Sequence, residues 1–153
     1  QIRASSLRRQ YFSEVLNALE MKDLQLLRDV DVRWSSTLLM VDRAILLRAA
    51  IDKFLSTPDF SELEKYKLNS AEWAALDVFR DILSVPHAFQ QKLSAESTPM
   101  LCEALPAFRG MIKAWEAKQV KYPELSDIIQ SGIDKLESYQ NRLEDIPAYV
   151  FAI

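Results

Sequence analysis

The sequence predicts an all-α fold, a bundle of five or six helices with one extended segment near residues 27–34. Three observations lead there. Two glycines and six scattered prolines in 153 residues suit helices joined by short turns better than a sheet with many hairpins. Apolar residues recur at spacings of three and four along most of the chain. The one stretch that alternates at period two finds no second strand of comparable quality, and a lone strand leaves its backbone groups unsatisfied.

Composition fits a folded domain. Apolar residues make up 49% and charged residues 27% of the chain, ordinary for a globular protein and unlike a disordered one. Residues 1–153 read as a single helical domain, and a glutamine start with an apolar "AYVFAI" finish suggests a fragment of something larger.

Ser5 or Ser6 can cap a first helix whose face comprises Leu7, Tyr11, Val15 and Ala18, widened by Phe12, Leu16 and Leu19. Arg3, Arg8 and Arg9 sit in its first turns, where cations oppose the helix dipole; a solvated face explains them, and so does an external anion. Over residues 26–34, Val30, Val32 and Trp34 point one way and Asp29, Asp31 and Arg33 the other. Ser35 or Ser36 then caps a helix running to about Leu55, with Met40, Ala44, Leu47, Ile51 and Phe54 inward and Arg48 one turn from Asp52. Thr57-Pro58-Asp59 ends it, and "FSELEKY" forms a short helix.

Ser70 caps the next helix, with Glu72 in its first turn. Two stripes, one through Trp73, Leu76, Phe79 and Leu83 and one through Val78, Ile82, Val85, Phe89 and Leu93, predict burial on most sides. Pro86 should kink this helix. Thr98-Pro99 opens another, burying Leu101, Leu105, Phe108, Ile112 and Trp115, with a second kink at Pro106. After "KYPEL", a last helix over 124–143 turns Leu125, Ile129, Gly132, Leu136, Tyr139 and Leu143 inward.

Chemistry is sparse. The net charge of −3 provides no global basic footprint for nucleic acid. Residues 1–53 carry nine Lys/Arg against seven Asp/Glu, and residues 54–153 ten against fifteen, so a slight basic bias lies on the N-terminal side. Cys102 and His87 are the only residues of their types. An internal disulfide and a Cys/His zinc site are therefore excluded within one chain, and the composition suits a reducing compartment. His87 follows Pro86 on an apolar helix, where a packed or solvent-edge imidazole outweighs a catalytic base. Cys102 has Leu101 and Glu103 beside it rather than cations, which favours an inert thiol. Phosphate-binding glycine loops are impossible with Gly110 and Gly132 alone. Asp29 and Asp31 share a side as a metal-binding pair would, but two-metal sites need three or four converging ligands, and a solvated polar edge is the stronger account. No apolar run reaches a membrane span and no signal peptide is visible.

The order of motifs resembles part of an hAT-superfamily DNA transposase. In "DVDVRWSSTLLMVDRAILLRAAIDKFL", the residues Asp29, Val30, Arg33, Trp34, Ser36 and Thr37 fit the family's Asp-Val-x-x-Arg-Trp-Asn-Ser-Thr pattern, with Ser35 in place of the usual asparagine and Val32 where threonine is frequent. "IRASSLRRQYF" resembles the serine-arginine helix that precedes the motif. "LNSAEWAALDVFRDILSVPHAFQQKLSAESTPMLCEALPAF" resembles the later Glu-Trp helix and its Pro-containing turn, and "GIDKLESYQNRLEDIPAYVFAI" the segment leading to a Leu-Asp-Pro motif. The resemblance implies a helical insertion of a ribonuclease-H-like domain. It places the Asp-Asp-Glu triad, and the divalent metal that triad holds, in an intact parent rather than in residues 1–153. This piece is then expected to be non-catalytic, without cofactor or small-molecule substrate, and intracellular, in the nucleus.

The family's Arg-Trp pair is associated with DNA near the cleavage site. An indole offers a flat face to an unstacked base, worth about 1–3 kcal/mol, and a guanidinium can fork onto phosphate. Candidate DNA contacts are thus Arg33 and Trp34, with Ser35 beside them and Arg8 and Arg9 from the first helix. The competing reading buries Trp34 with Val30 and Val32, and is the one expected of the isolated fragment. Two functions follow, a DNA-contacting helical part of a transposase-derived protein or a helical interaction module that forms a homodimer.

Overall fold

Residues 2–30, 34–94 and 101–144 are described by a computed structural model, with side chains given for the same residues save 34, 92–94, 101–104 and 143–144. Among the described residues there are six α-helices, three 3-10 segments and no strand, as the apolar spacing predicts. The chain divides into two compact units, Gln1–Arg80 and Asp81–Ile153.

The first unit begins with a 3-10 turn, Ile2–Ala4, followed by α1 (Ser6–Ala18) with Ser5 at its N-cap. An irregular stretch leads to α2 (Trp34–Leu46), α3 (Arg48–Leu55), a 3-10 segment over Pro58–Tyr66 and the start of α4 (Ser70–Ser94). α1 packs on the N-terminal turn and on α3, which also packs on the Pro58–Tyr66 segment. Their core is aromatic. Phe54 stacks on Phe60 with ring centroids 4.9 Å apart and meets Tyr11 and Phe12 edge-on at 5.8 and 5.9 Å. Val15, Leu16, Leu47 and Ala50 close around these rings.

The register of α1 departs from the sequence reading. Phe12, Val15 and Leu16 are buried, Tyr11 and Leu19 half-buried, whereas Leu7 is 66% exposed and Ala18 lies outside. Two stripes of similar apolar content compete on this helix, and the one carrying the larger Phe12 takes the core. The helix expected to run to Leu55 is interrupted at Leu47, where ψ is 15°. The Leu47 N–H still donates to the Arg43 carbonyl at 3.1 Å, and the Leu47 carbonyl accepts from Ile51 at 3.0 Å, so the backbone ladder survives the interruption. Arg48 and Asp52 pair at 3.6 Å, one turn apart as expected.

The cap of α4 is Asn69 rather than Ser70. Its Oδ1 accepts from the amides of Ala71 and Glu72 at 2.9 and 3.0 Å, and Glu72 Oε2 accepts from the Asn69 amide at 2.8 Å. This reciprocal pair is a capping box, with a cap contribution of about 1 kcal/mol. Farther along, Trp73 is buried, its Nε1 donating to Asp52 Oδ1 at 3.4 Å, with Arg48 5.3 Å above the ring centroid. α4 is not buried on most sides as its two stripes suggest: Phe79 is 44% exposed, while Trp73, Ile82, Val85 and Pro86 are buried.

In the second unit, the rest of α4 is followed by α5 (Leu101–Lys121), a 3-10 turn at Pro123–Leu125 and α6 (Ser126–Glu144). α5 and α6 pack as a hairpin over Leu105, Ala107, Met111, Trp115, Ile129, Ile133 and Leu136, all buried. Phe108, Ile112 and Leu125 reach this core only in part, and Tyr139 is 44% exposed. Leu93, Leu101, Cys102 and Leu143 have side chains outside the described set, and Thr98-Pro99 lies outside the described residues. Gly132 lets α6 approach α5 closely, since a Cβ there would stand 2.7 Å from Cζ3 of Trp115.

Asp81 anchors the polar side of this unit. Lys118 Nζ lies 2.7 Å from Oδ1, while Lys121 Nζ and the Tyr122 hydroxyl donate to Oδ2 at 2.9 and 2.8 Å. Lys118 first, then Lys121 and Tyr122, hold the carboxyl far below its ordinary value of 3.8. A folded value below the unfolded one means stability that is present above about pH 4 and lost as pH falls toward the folded value. We expect Asp81→Asn to cost about 1–2 kcal/mol at neutral pH, a figure discounted for surface screening. Urea melts down to about pH 2 should show the gap between wild type and variant narrowing from about pH 4 downward. A gap independent of pH would show that the carboxylate's charge contributes nothing.

Candidate nucleic-acid interface

The stretch nominated for DNA contact sits where the irregular segment meets α2. Asp29 is the organising group. Thr37 Oγ1 lies 3.1 Å from both Asp29 carboxylate oxygens, and the Val30 amide lies 2.9 Å from Asp29 Oδ1. The same amide donates to Ser36 Oγ at 2.7 Å. The Ser36 hydroxyl, with help from Thr37 and the Val30 amide and against partial burial, holds the Asp29 carboxyl below its ordinary value. Arg43 Nη1 adds a bond to the Gln25 carbonyl at 2.7 Å. The segment is thereby tied to α2.

This geometry revises the expected roles of the hydroxyls. Ser36 turns back to the incoming chain, as Thr37 does, and α2 begins at Trp34, ahead of the expected cap at Ser35 or Ser36. Residues 27–30 have no regular structure, and Val30, expected to point inward, is 44% exposed. Its amide is used by Ser36 and Asp29 instead of by a neighbouring strand. Asp31, Val32 and Arg33 lie outside the described residues, as does the side chain of Trp34. Ser35 is half-buried and makes an interaction within the chain.

The two α1 candidates differ. Arg8 is half-buried, with Nη2 2.8 Å from Glu62 Oε1 and the guanidinium 5.9 Å from the Phe60 ring centroid. That arginine is engaged within the fold. Arg9 is exposed and donates to the Arg3 carbonyl at 3.0 Å. Arg3 and Arg9 share a shallow depression with Gln10, Ser13 and Gln25. Arg3 also reaches a second recess, whose wall includes Arg28 and Asp29. The structure thus brings Arg3, Arg9 and Arg28 around the incoming segment. Arg28 lies within the alternating stretch but is not nominated by the sequence reading, because the family motif that draws attention begins at Asp29. Among the described residues no group of three His, Cys, Asp or Glu side chains is placed to hold a metal ion, and no helix is long and apolar enough to cross a membrane.

A family model described as the ZBED1 RNase-like helical domain matches residues 1–82. The chain belongs to this family. No curated protein and no solved structure matches it. The matched span ends just past Arg80, the last residue of the first compact unit, so sequence family and tertiary packing agree on nearly the same boundary. Every DNA-contact candidate falls inside the RNase-like helical domain so delimited. Membership agrees with the helical, transposase-derived domain that the motif order implies.

Proposed function

We propose that the chain is the non-catalytic helical insertion of an hAT-type transposase or transposase-derived protein, contributing DNA contacts to its parent in the nucleus. The observation that carries this reading is the overlap of the family match with the unit whose α2 opens at the Arg33-Trp34 motif. Supporting it, Asp29 is engaged by hydroxyls and an amide beside that opening, while Arg9 stays exposed on the same unit. Catalysis and its metal belong, on this reading, to a triad elsewhere in the parent. With a net charge of −3, affinity should be measurable chiefly at low salt and fall as salt rises. Titrating the chain with fluorescent hairpin and single-stranded DNA checks this. Trp34→Ala should cost about 1–3 kcal/mol of binding, the worth of one stacked base, and Arg33→Ala should flatten the salt dependence by about one counterion. Absence of binding at low salt, or binding unchanged in both variants, sinks the DNA reading for this chain.

A second reading, a homodimeric interaction module, is favoured by Val120 and Ile128, which are 85% and 66% exposed near the turn joining α5 to α6. Light scattering over a range of concentrations decides it, and a strictly monomeric protein removes it.

A further inference from the structure

The recess beside residues 26–29 has a character unlike a phosphate-binding surface. It encloses about 900 Å³, within the range of about 300–1,000 Å³ typical of ligand clefts. Ile2 and Leu55, both buried, line it together with Leu27 and Tyr66, which are 38% and 48% exposed. Large apolar side chains left open to water in a concave surface mark a place where another molecule's apolar groups can be covered. Arg3 and Arg28 also line the recess, both exposed. Among the described residues neither guanidinium has a hydrogen-bond or ion-pair partner, the only bond to Arg3 being accepted by its carbonyl. Among the described residues Asp29 is the one acid in the lining, and its carboxylate is already occupied by Thr37, Ser36 and the Val30 amide. Among the described residues the recess is therefore apolar, with a net positive rim whose arginines have no acidic partner.

That combination selects among partners. A nucleic-acid backbone would satisfy the arginines but would set hydrated sugars and phosphates against an aliphatic lining, at a cost in desolvation. A basic segment would face like charges. A segment with apolar side chains flanked by carboxylates satisfies both features, since a guanidinium pairs with carboxylate in bidentate fashion. We infer that this recess docks an acidic amphipathic peptide segment of a partner protein, its apolar side chains against Ile2, Leu27, Leu55 and Tyr66 and its carboxylates on Arg3 and Arg28. The inference does not depend on the DNA reading, which is measured with a different ligand.

The test uses the full chain and a fluorescein-labelled synthetic peptide in which leucine and phenylalanine at helical spacing alternate with glutamate and aspartate. A twin carries lysine at every acidic position. Polarisation should report saturable binding of the acidic peptide and binding at least about tenfold weaker for the lysine twin, as expected when two charge-assisted contacts become repulsive. The double variant Arg3→Glu, Arg28→Glu should lose at least about tenfold for the acidic peptide and regain affinity for the lysine twin. Leu27→Asp should weaken the acidic peptide in its own right. All three positions are exposed, and circular dichroism confirms that the variants stay folded. Equal binding of both peptides, no binding of either, or a double variant that binds like wild type overturns the inference. So does displacement of the peptide by hairpin DNA at matching occupancy, which assigns the recess to nucleic acid. Self-association abolished by the same double variant likewise overturns it, since a second copy would then cover the recess.

Discussion

Replacing Phe54 by alanine should cost the first unit about 3–5 kcal/mol, a large share of the roughly 5–15 kcal/mol that holds a domain folded. Phe54 is fully buried, stacks on Phe60 and meets both Tyr11 and Phe12 edge-on. Truncation removes the apolar area of one ring and also breaks three aromatic contacts, each worth about 0.5–1.5 kcal/mol beyond burial. The cavity cannot close easily, because its walls come from α1, α3 and the Pro58–Tyr66 segment, each fixed by its own packing. Urea denaturation followed by circular dichroism, with hydrogen exchange on α1 and α3, reads the loss directly. Leu7→Ala is the matched control. The periodicity of α1 alone makes Leu7 a core residue, but at 66% exposure its truncation should change stability by no more than about 0.5 kcal/mol. A large effect at Leu7 together with a small one at Phe54 would mean that α1 packs on the other stripe.

That contrast shows which parts of the molecule its sequence discloses. Helix existence was legible throughout, because the spacing of apolar residues is a local property. The Thr57-Pro58 break and the Arg48–Asp52 pair were legible for the same reason: both depend on neighbours within one turn. The sequence reading puts the cap of α4 one residue late, at Ser70, although the capping-box spacing points to Asn69, which stands three residues before Glu72. The stripe of α1 that faces inward was not, because two stripes of similar content can be told apart only by what α3 offers them. The junction before α2 was hardest. Alternation of Asp29, Val30 and their successors imitates a strand, but the backbone at Val30 is satisfied by a serine hydroxyl six residues on, an outcome that composition does not announce. At the candidate interface, sequence nominated Arg8 and Arg9 as equals. A glutamate 54 positions away separates them, engaging Arg8 and leaving Arg9 on the surface.

Trp115 should be the comparable determinant of the second unit, for a reason that begins with a proline. α4 runs through Pro86, and proline has no amide to give the carbonyl four residues earlier. That carbonyl belongs to Ile82, which accepts instead from Trp115 Nε1 at 3.0 Å in a buried setting. The indole thus fills the core beside Gly132 and also supplies the donor that Pro86 withholds. Trp115→Ala should cost about 3–5 kcal/mol through cavity formation. Trp115→Phe keeps most of the bulk but leaves the Ile82 carbonyl unsatisfied, a loss of about 1–3 kcal/mol. If the backbone defect is the reason, Pro86→Ala repairs it from the other side by restoring an amide to α4. In the Pro86→Ala background, Trp115→Phe should then cost at least about 1 kcal/mol less than in wild type, measured as the coupling term of a double-mutant cycle in urea. Additivity within about 0.3–0.5 kcal/mol would mean that the indole acts through its bulk alone and that Ile82 finds another donor.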